Sequence, residues 1–234
     1  MNRQASFAVA SGLLSLAVVH LAYWLNVHSG GIDAALVCNP YLDGCVSTSR
    51  AVRSGPGLLW FKAVMLPVAL LMGVTWRSVS AGMATAGNDT HLLRGWTLAL
   101  GTGGAVALVF YVLFLGSEGA LYSWLRKYGV VFFFGFTALA QLLTARFLWT
   151  RPGGRGSVWP TVFLALVSLQ WAIGVFSVAK RFIFDDPEFI DRVENVTEWW
   201  MISLMSLGLV VIGIQLTSPR SGRKVVGPAE FRDS

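Results

Sequence analysis

Three carboxylates near the end of the chain have the spacing of residues that share one side of a helix. Asp191, Glu194 and Glu198 stand at positions i, i+3 and i+7, which places them on one helical stripe. Like charges on one stripe repel each other, so these acids need solvent, a cation or basic partners. His20 is a further residue that could transfer protons near neutral pH.

Basic residues near the ends of apolar runs are the natural partners of these acids. Three interpretations of the charges are open: an ion-pair network, a lipid-headgroup site, and a catalytic site with His20 as acid/base oriented by Glu198 or Glu194. In the headgroup site, basic residues would bind a phosphate and acids would position them. The headgroup candidates are Lys62, Arg50, Arg126, Lys127, Tyr128, Lys180, Arg181 and Glu198.

Long apolar runs are the elements that must position these residues. The chain has 234 residues, of which 55% are hydrophobic and 13% charged, whereas about a quarter of the residues of a soluble domain are charged. This composition excludes a soluble enzyme and a disordered chain. Six runs approach the roughly 20 residues that a membrane-crossing helix needs; they are Ser6–Val27, Gly57–Trp76, Gly95–Leu115, Tyr128–Trp149, Trp159–Val178 and Trp199–Leu216.

The runs lack the apolar/polar alternation of barrel strands. The predicted fold is therefore all-α, a polytopic bundle of six transmembrane helices that forms a single domain over residues 1–234. The positive-inside rule places both termini in the cytoplasm, because ten Lys and Arg residues fall on their side, seven fall on the other side, and Lys62 lies inside a span. Residues 28–56 then form an outer loop and residues 217–234 a basic cytoplasmic tail.

The two cysteines of the chain, Cys38 and Cys45, both lie in the predicted outer loop. Close cysteines facing an oxidising compartment favour a small disulfide loop. A zinc site is disfavoured, since two thiolates without nearby His or Cys supply too few ligands, and we predict no metal. The closed loop would roof the bundle's outer end, either as part of a site or as a simple lid.

A helix is predicted to begin just before the sixth span. Asp186, Pro187 and Glu188 have the order of an N-cap, a first-turn proline and a first-turn acid. Apolar residues then recur at helical spacing, which indicates an amphipathic helix that lies at the membrane interface and continues into the span.

Several functions have no motif to support them. The sequence contains no Walker loop, dinucleotide fingerprint, HExxH, GxSxG or CxxCH motif, so we expect no cofactor. The net charge of +6 is explained by membrane topology, and no nucleic-acid partner is expected. Arginine outnumbers lysine 14 to 4, which favours a bacterial inner membrane over a eukaryotic endomembrane.

Four segments resemble one known pattern. The first outer loop reads CNPYLDGCVSTSR before a span beginning GLLWFK, the fourth span opens RKYGVVFFFGF, and the sixth opens ENVTEWW. Together with six spans, these segments resemble the Frag/DRAM/Sfk family, whose members are linked to lipid remodelling of glycosylphosphatidylinositol anchors, phospholipid asymmetry and autophagy or lysosomal membranes. The residues that the resemblance implies are shared are Cys38, Cys45, Ser47, Ser49, Lys62, Tyr128, Gly129, Glu198 and Trp199.

The leading hypothesis is an integral membrane protein that binds, or helps to modify, a lipid headgroup in the outer-leaflet half of the bundle, with membrane lipids as partners. The first alternative is a non-catalytic accessory or scaffold subunit of a membrane complex. Its acidic helix, residues 186–198, would dock a protein partner. The third hypothesis is a small transporter with His20, Lys62 and Glu198 along its path. It ranks last because the inner halves of the spans offer few polar residues.

Overall fold

Every long apolar run of the sequence forms a helix, as hydrocarbon requires, because only internal hydrogen bonds can satisfy the backbone there. The computed structural model describes residues 3–84, 90–151 and 153–217. Its helices are α1 Arg3–His28, α2 Thr48–Ala51, α3 Gly55–Ala84, α4 His91–Phe114, α5 Ala120–Thr150, α6 Val158–Ile183 and α7 Pro187–Thr217. All but α2 are long and apolar enough to cross a membrane, and no strand occurs in these ranges. The predicted all-α bundle of six spans is confirmed.

The helices extend beyond the predicted spans where polar residues can still continue the helical backbone. Helix α5 begins at Ala120, eight residues before the predicted start of its span. The amphipathic helix and the sixth span form the single helix α7, and the Glu188 N–H donates to Asp186 Oδ1 at 3.0 Å, as predicted for an N-cap. Residues 218–234 of the predicted tail lie outside the described residues.

The long helices form a closed ring in chain order. Helix α1 packs against α3, α3 against α4, α4 against α5, α5 against α6, α6 against α7, and α7 returns to α1. Helix α7 also contacts α2, α3 and α5, so it lies nearest the centre of the ring. In the most apolar segment of α7, 56% of the residues are buried, whereas in that of α6 17% of the residues are buried. Helix α6 therefore presents most of its surface to the lipid.

Glycines allow α1 and α7 to approach closely and complete the ring. A Cβ atom at Gly12 would lie 2.4 Å from the Ser206 carbonyl oxygen, and one at Gly213 would lie 2.9 Å from the Ala5 carbonyl oxygen. Such backbone contact is typical of membrane helices that pack through small residues. The tight seam fixes the position of α7 beside α1, and with it the acids carried on the first turns of α7.

Candidate functional site at the loop end of the bundle

The outer end of the bundle is the end that carries the loop between α1 and α3, named here for its predicted orientation. Cys38 and Cys45 form a disulfide in this loop, as predicted. Side chains of α7 hold the loop in place by donating to its backbone carbonyls: Asn195 to Gly44 at 2.8 Å, Trp199 to Val46 at 2.9 Å and Trp200 to Tyr41 at 3.3 Å. The loop is thus a fixed roof over α7.

His20 takes part in this attachment. Its Nδ1 lies 2.7 Å from the Leu16 carbonyl and its Nε2 lies 2.8 Å from the Tyr41 hydroxyl. A carbonyl only accepts, so in the neutral ring Nδ1 carries the hydrogen and Nε2 accepts from Tyr41. The Tyr41 hydroxyl is also 2.7 Å from Ser203 Oγ on α7. His20 therefore connects α1 to the loop and α7, and its hydrogen bonds do not include Glu194 or Glu198.

The three acids of the α7 stripe have three different partners. Asp191 pairs with Arg50 at 3.3 Å. Glu198 Oε2 accepts the Thr48 backbone N–H at 2.9 Å, which satisfies one of the unpaired donors at the start of α2. Glu194 faces two cations on α6. The repulsion expected along the stripe is offset separately at each residue.

The partners of Glu194 form what we name the α6–α7 corner, which consists of Lys180, Arg181 and Glu194. Glu194 Oε2 lies 2.9 Å from Arg181 Nη2 and 3.4 Å from Lys180 Nζ. The Lys180 side chain is 0% exposed, whereas those of Arg181 and Glu194 are 63% and 47% exposed. Lys180 Nζ has no hydrogen-bond partner of good geometry within the described residues. Lys180 and Arg181 therefore share the single carboxylate of Glu194. The corner carries one net positive charge, and one of its two cations is fully buried.

The other predicted headgroup residues lie on different helices. Lys62 donates to the Leu113 carbonyl at 3.1 Å, and Arg126 donates to the Ser117 carbonyl. Both cations thus bind carbonyls at or just beyond the C-terminal end of α4, where cations are favourable. Lys127 and Tyr128 are exposed on α5, and Tyr128 packs its ring 4.6 Å from that of Trp124. No described contact joins these residues to the α6–α7 corner.

The interior beneath the loop offers little space. A cavity of about 20 Å³ lies between the long helices, with Thr48 and Tyr111 as its polar lining and apolar side chains elsewhere. This volume holds about one water molecule, so it is too small for a substrate. Among the described residues, no group of three or more His, Cys, Asp or Glu side chains could hold a metal ion.

Several residues that shape this end of the bundle were not singled out from the sequence. Tyr41, Asn195 and Ser203 hold the loop to α7, and Arg192 lies beside the loop at Gly44. Such residue types are common in loops and helices. The available signal was helical spacing on α7, since Asn195 lies one turn after Asp191 and one turn before Trp199, directly beside the stripe of acids.

Comparisons of the chain with protein-family models, with curated proteins and with solved structures find no match. The Frag/DRAM/Sfk resemblance and the membrane orientation therefore stay predictions from the sequence, and the structure itself supports an integral membrane protein built from six apolar helices.

Proposed function

We propose that this protein binds the headgroup of an anionic phospholipid at the α6–α7 corner. The observation that carries the proposal is the fully buried Lys180 ammonium, which shares with Arg181 the only carboxylate it pairs with among the described residues. A charge removed from water is costly unless it is paired and hydrogen-bonded. A phosphate bound by the exposed Arg181 guanidinium would supply the missing negative charge, and that charge would also offset the nearby buried Lys180 ammonium through space.

The surroundings of the corner favour a lipid over a soluble anion. Phe182 and Ile183 follow Arg181 at the end of α6 and are 87% and 62% exposed. Large exposed apolar side chains beside an arginine are typical of the interface of a bilayer, where the arginine reaches the headgroups and the apolar side chains enter the hydrocarbon. An anion that reaches Arg181 there belongs to a lipid headgroup.

The scaffold alternative is less well supported, because four of the five acids in residues 186–198 are engaged within the chain. Asp191 pairs with Arg50 and Glu194 with two α6 cations. Glu198 accepts from Thr48, and Asp186 caps its own helix. A protein partner that used these carboxylates would have to displace existing contacts.

Native mass spectrometry of the full chain in mild detergent tests the proposal by titration with phosphatidylglycerol and phosphatidylcholine. We expect the wild type to retain phosphatidylglycerol preferentially. Arg181→Gln should weaken that binding about tenfold, the effect of losing one charge-assisted hydrogen bond. Lys180→Met should also reduce the preference, since it removes the buried ammonium.

Arg155→Gln is the matched control. Arg155 is exposed near the opposite end of the bundle, so its loss should leave lipid selectivity unchanged. Thermal unfolding of each variant checks that folding is retained. Equal binding of the two lipids by the wild type, or unchanged selectivity in both corner variants, would overturn the proposal.

A further inference from the structure

A surface groove runs beside the corner on the lipid-facing side of α7. It lies between the disulfide loop, α6 and the first half of α7, and its volume is about 380 Å³. We name it the α7 groove; its lining residues are Leu42, Asp43, Phe176, Phe189, Arg192, Val193, Val196 and Thr197. This volume falls within the range of small-molecule sites, about 300–1,000 Å³.

The groove has an apolar floor that opens toward the bilayer. Phe176 and Phe189 are 42% and 36% exposed, and Val193 and Val196 lie between the two helices' outer ends. Phe176 lies near the outer end of the fifth predicted span, and the α7 lining residues belong to the segment predicted to lie at the membrane interface. The groove therefore opens where the headgroups meet the acyl chains of one leaflet. Apolar groups of this shape and position fit an acyl chain.

One cation of the groove lining has no partner among the residues that the structure describes. Asp43 accepts the Asn39 backbone N–H at 3.0 Å inside the disulfide loop. Arg192 is exposed, and its side chain forms no ion pair or hydrogen bond within the described part of the chain. An unpaired guanidinium above an apolar floor is complementary to a phosphate that carries an acyl chain.

The groove and the corner are continuous along the α6–α7 seam. Phe176 precedes Lys180 by four residues on α6, and Thr197 follows Glu194 by three residues on α7. Residues with these spacings lie on the same face of a helix, one turn apart. The groove that Arg192 lines and the corner that Arg181 belongs to are therefore both formed by the facing sides of α6 and α7.

We infer that the α7 groove binds one acyl chain of a glycerophospholipid and that Arg192 contacts the phosphate of the same molecule. The inference takes its lipid class from the proposed function, because the corner selects the anionic headgroup. The protein would then bind both the headgroup and one acyl chain of the lipid, and the disulfide loop would form part of the acyl-chain site. A protein partner is disfavoured, because eight lining residues are fewer than the roughly 20–30 that a standard protein interface uses on each side.

Photocrosslinking tests this inference on the full chain in liposomes. The probe is phosphatidylglycerol with a diazirine in one acyl chain, and labelled peptides are located by mass spectrometry. We expect labelling of the α6 and α7 segments that line the groove. Val196→Trp fills the groove and should remove most of this labelling, and Arg192→Gln should lower it about tenfold through the lost contact to phosphate.

Val175→Trp is the matched control, because Val175 is 62% exposed on α6 and does not line the groove. Labelling that is as strong in Val196→Trp and Arg192→Gln as in the control would overturn the inference. A different result would overturn the headgroup proposal alone. In that result, a diazirine phosphatidylcholine labels the groove as strongly as the phosphatidylglycerol probe, and Arg181→Gln leaves the labelling by both probes unchanged. Unfolding temperatures of all variants distinguish a lost site from a lost fold.

Discussion

The amide of Asn26 joins the outer loop to the bundle and offers the sharpest test of the fold. Its side chain is 0% exposed. Nδ2 donates to the Ala51 and Ser54 carbonyls at 2.8 and 2.9 Å, and Oδ1 accepts from the Gly57 N–H at 2.8 Å. These three bonds tie the end of α1 to the end of α2 and to the first turn of α3.

Asn26→Leu keeps the size of the side chain and removes all three bonds. Two of the bonds are buried and one is partly buried. A buried polar group that loses its partner costs about 1–3 kcal/mol, and the partly buried group costs less, so we expect a loss of about 3–5 kcal/mol in the free energy of unfolding. Leucine returns little of this, because its methyl groups would face two carbonyls and an N–H.

Unfolding of the purified protein by sodium dodecyl sulfate, followed by circular dichroism, measures this difference. The control is His28→Leu, since His28 is exposed and its described contacts, from Nδ1 to the Trp24 carbonyl and from its ring to the Trp24 ring, stay within its own helix. We expect the control to change stability by about 0.5 kcal/mol or less. A loss below about 1 kcal/mol in Asn26→Leu, the net value of one ordinary hydrogen bond, would refute the reasoning.

Two further predictions concern the attachment of the loop to α7. Gly44→Ala should release the loop and speed its proteolysis, because φ at Gly44 is +64° and the added Cβ would lie 2.3 Å from the Arg192 carbonyl oxygen. Gly30→Ala is the control for backbone strain alone, since Gly30 has φ of +68° but no atom within 4 Å of the added Cβ. Burial raises the pKa of the Tyr41 phenol, and the Ser203 hydrogen bond opposes the shift. The folded state therefore favours the neutral phenol. The contribution of Tyr41 to the free energy of unfolding is complete below the ordinary pKa of 10.0 and is lost as the pH rises through the raised pKa of the folded state. Tyr41→Phe should cost about 1–2 kcal/mol near neutral pH and show a smaller alkaline loss of unfolding free energy; equal alkaline slopes in both proteins would contradict the assignment.

The spans and the start of α7 were predictable because they depend on local physical chemistry. A run of apolar residues in a bilayer has to be helical whatever its neighbours are. The order Asp186, Pro187, Glu188 predicts a helix start through bonds within four residues, and the structure contains that bond. The disulfide followed from the presence of only two cysteines, close together in one loop.

The candidate site was predictable as a set of residue types but not as a set of contacts. Helical spacing placed Asp191, Glu194 and Glu198 on one stripe, and each of these acids does have a partner. Their separate partners depend on the order of the helices around the ring and on the rotation of each helix about its axis. Periodicity within one helix carries no information on either.

The sequence by itself determined what crosses the membrane, where α7 begins and which charges lie near the loop end of the bundle. Only the tertiary structure decided that Thr48 and Asn195 attach the loop to α7 and that Lys180 is buried beside a shared carboxylate. It also decided that Arg192 has no partner within the described ranges and lies above a groove. Thr48 and Glu198 are 150 residues apart in the chain. Their contact, like the others, depends on how the helices close into a ring, because packing between distant segments determines which polar groups find partners.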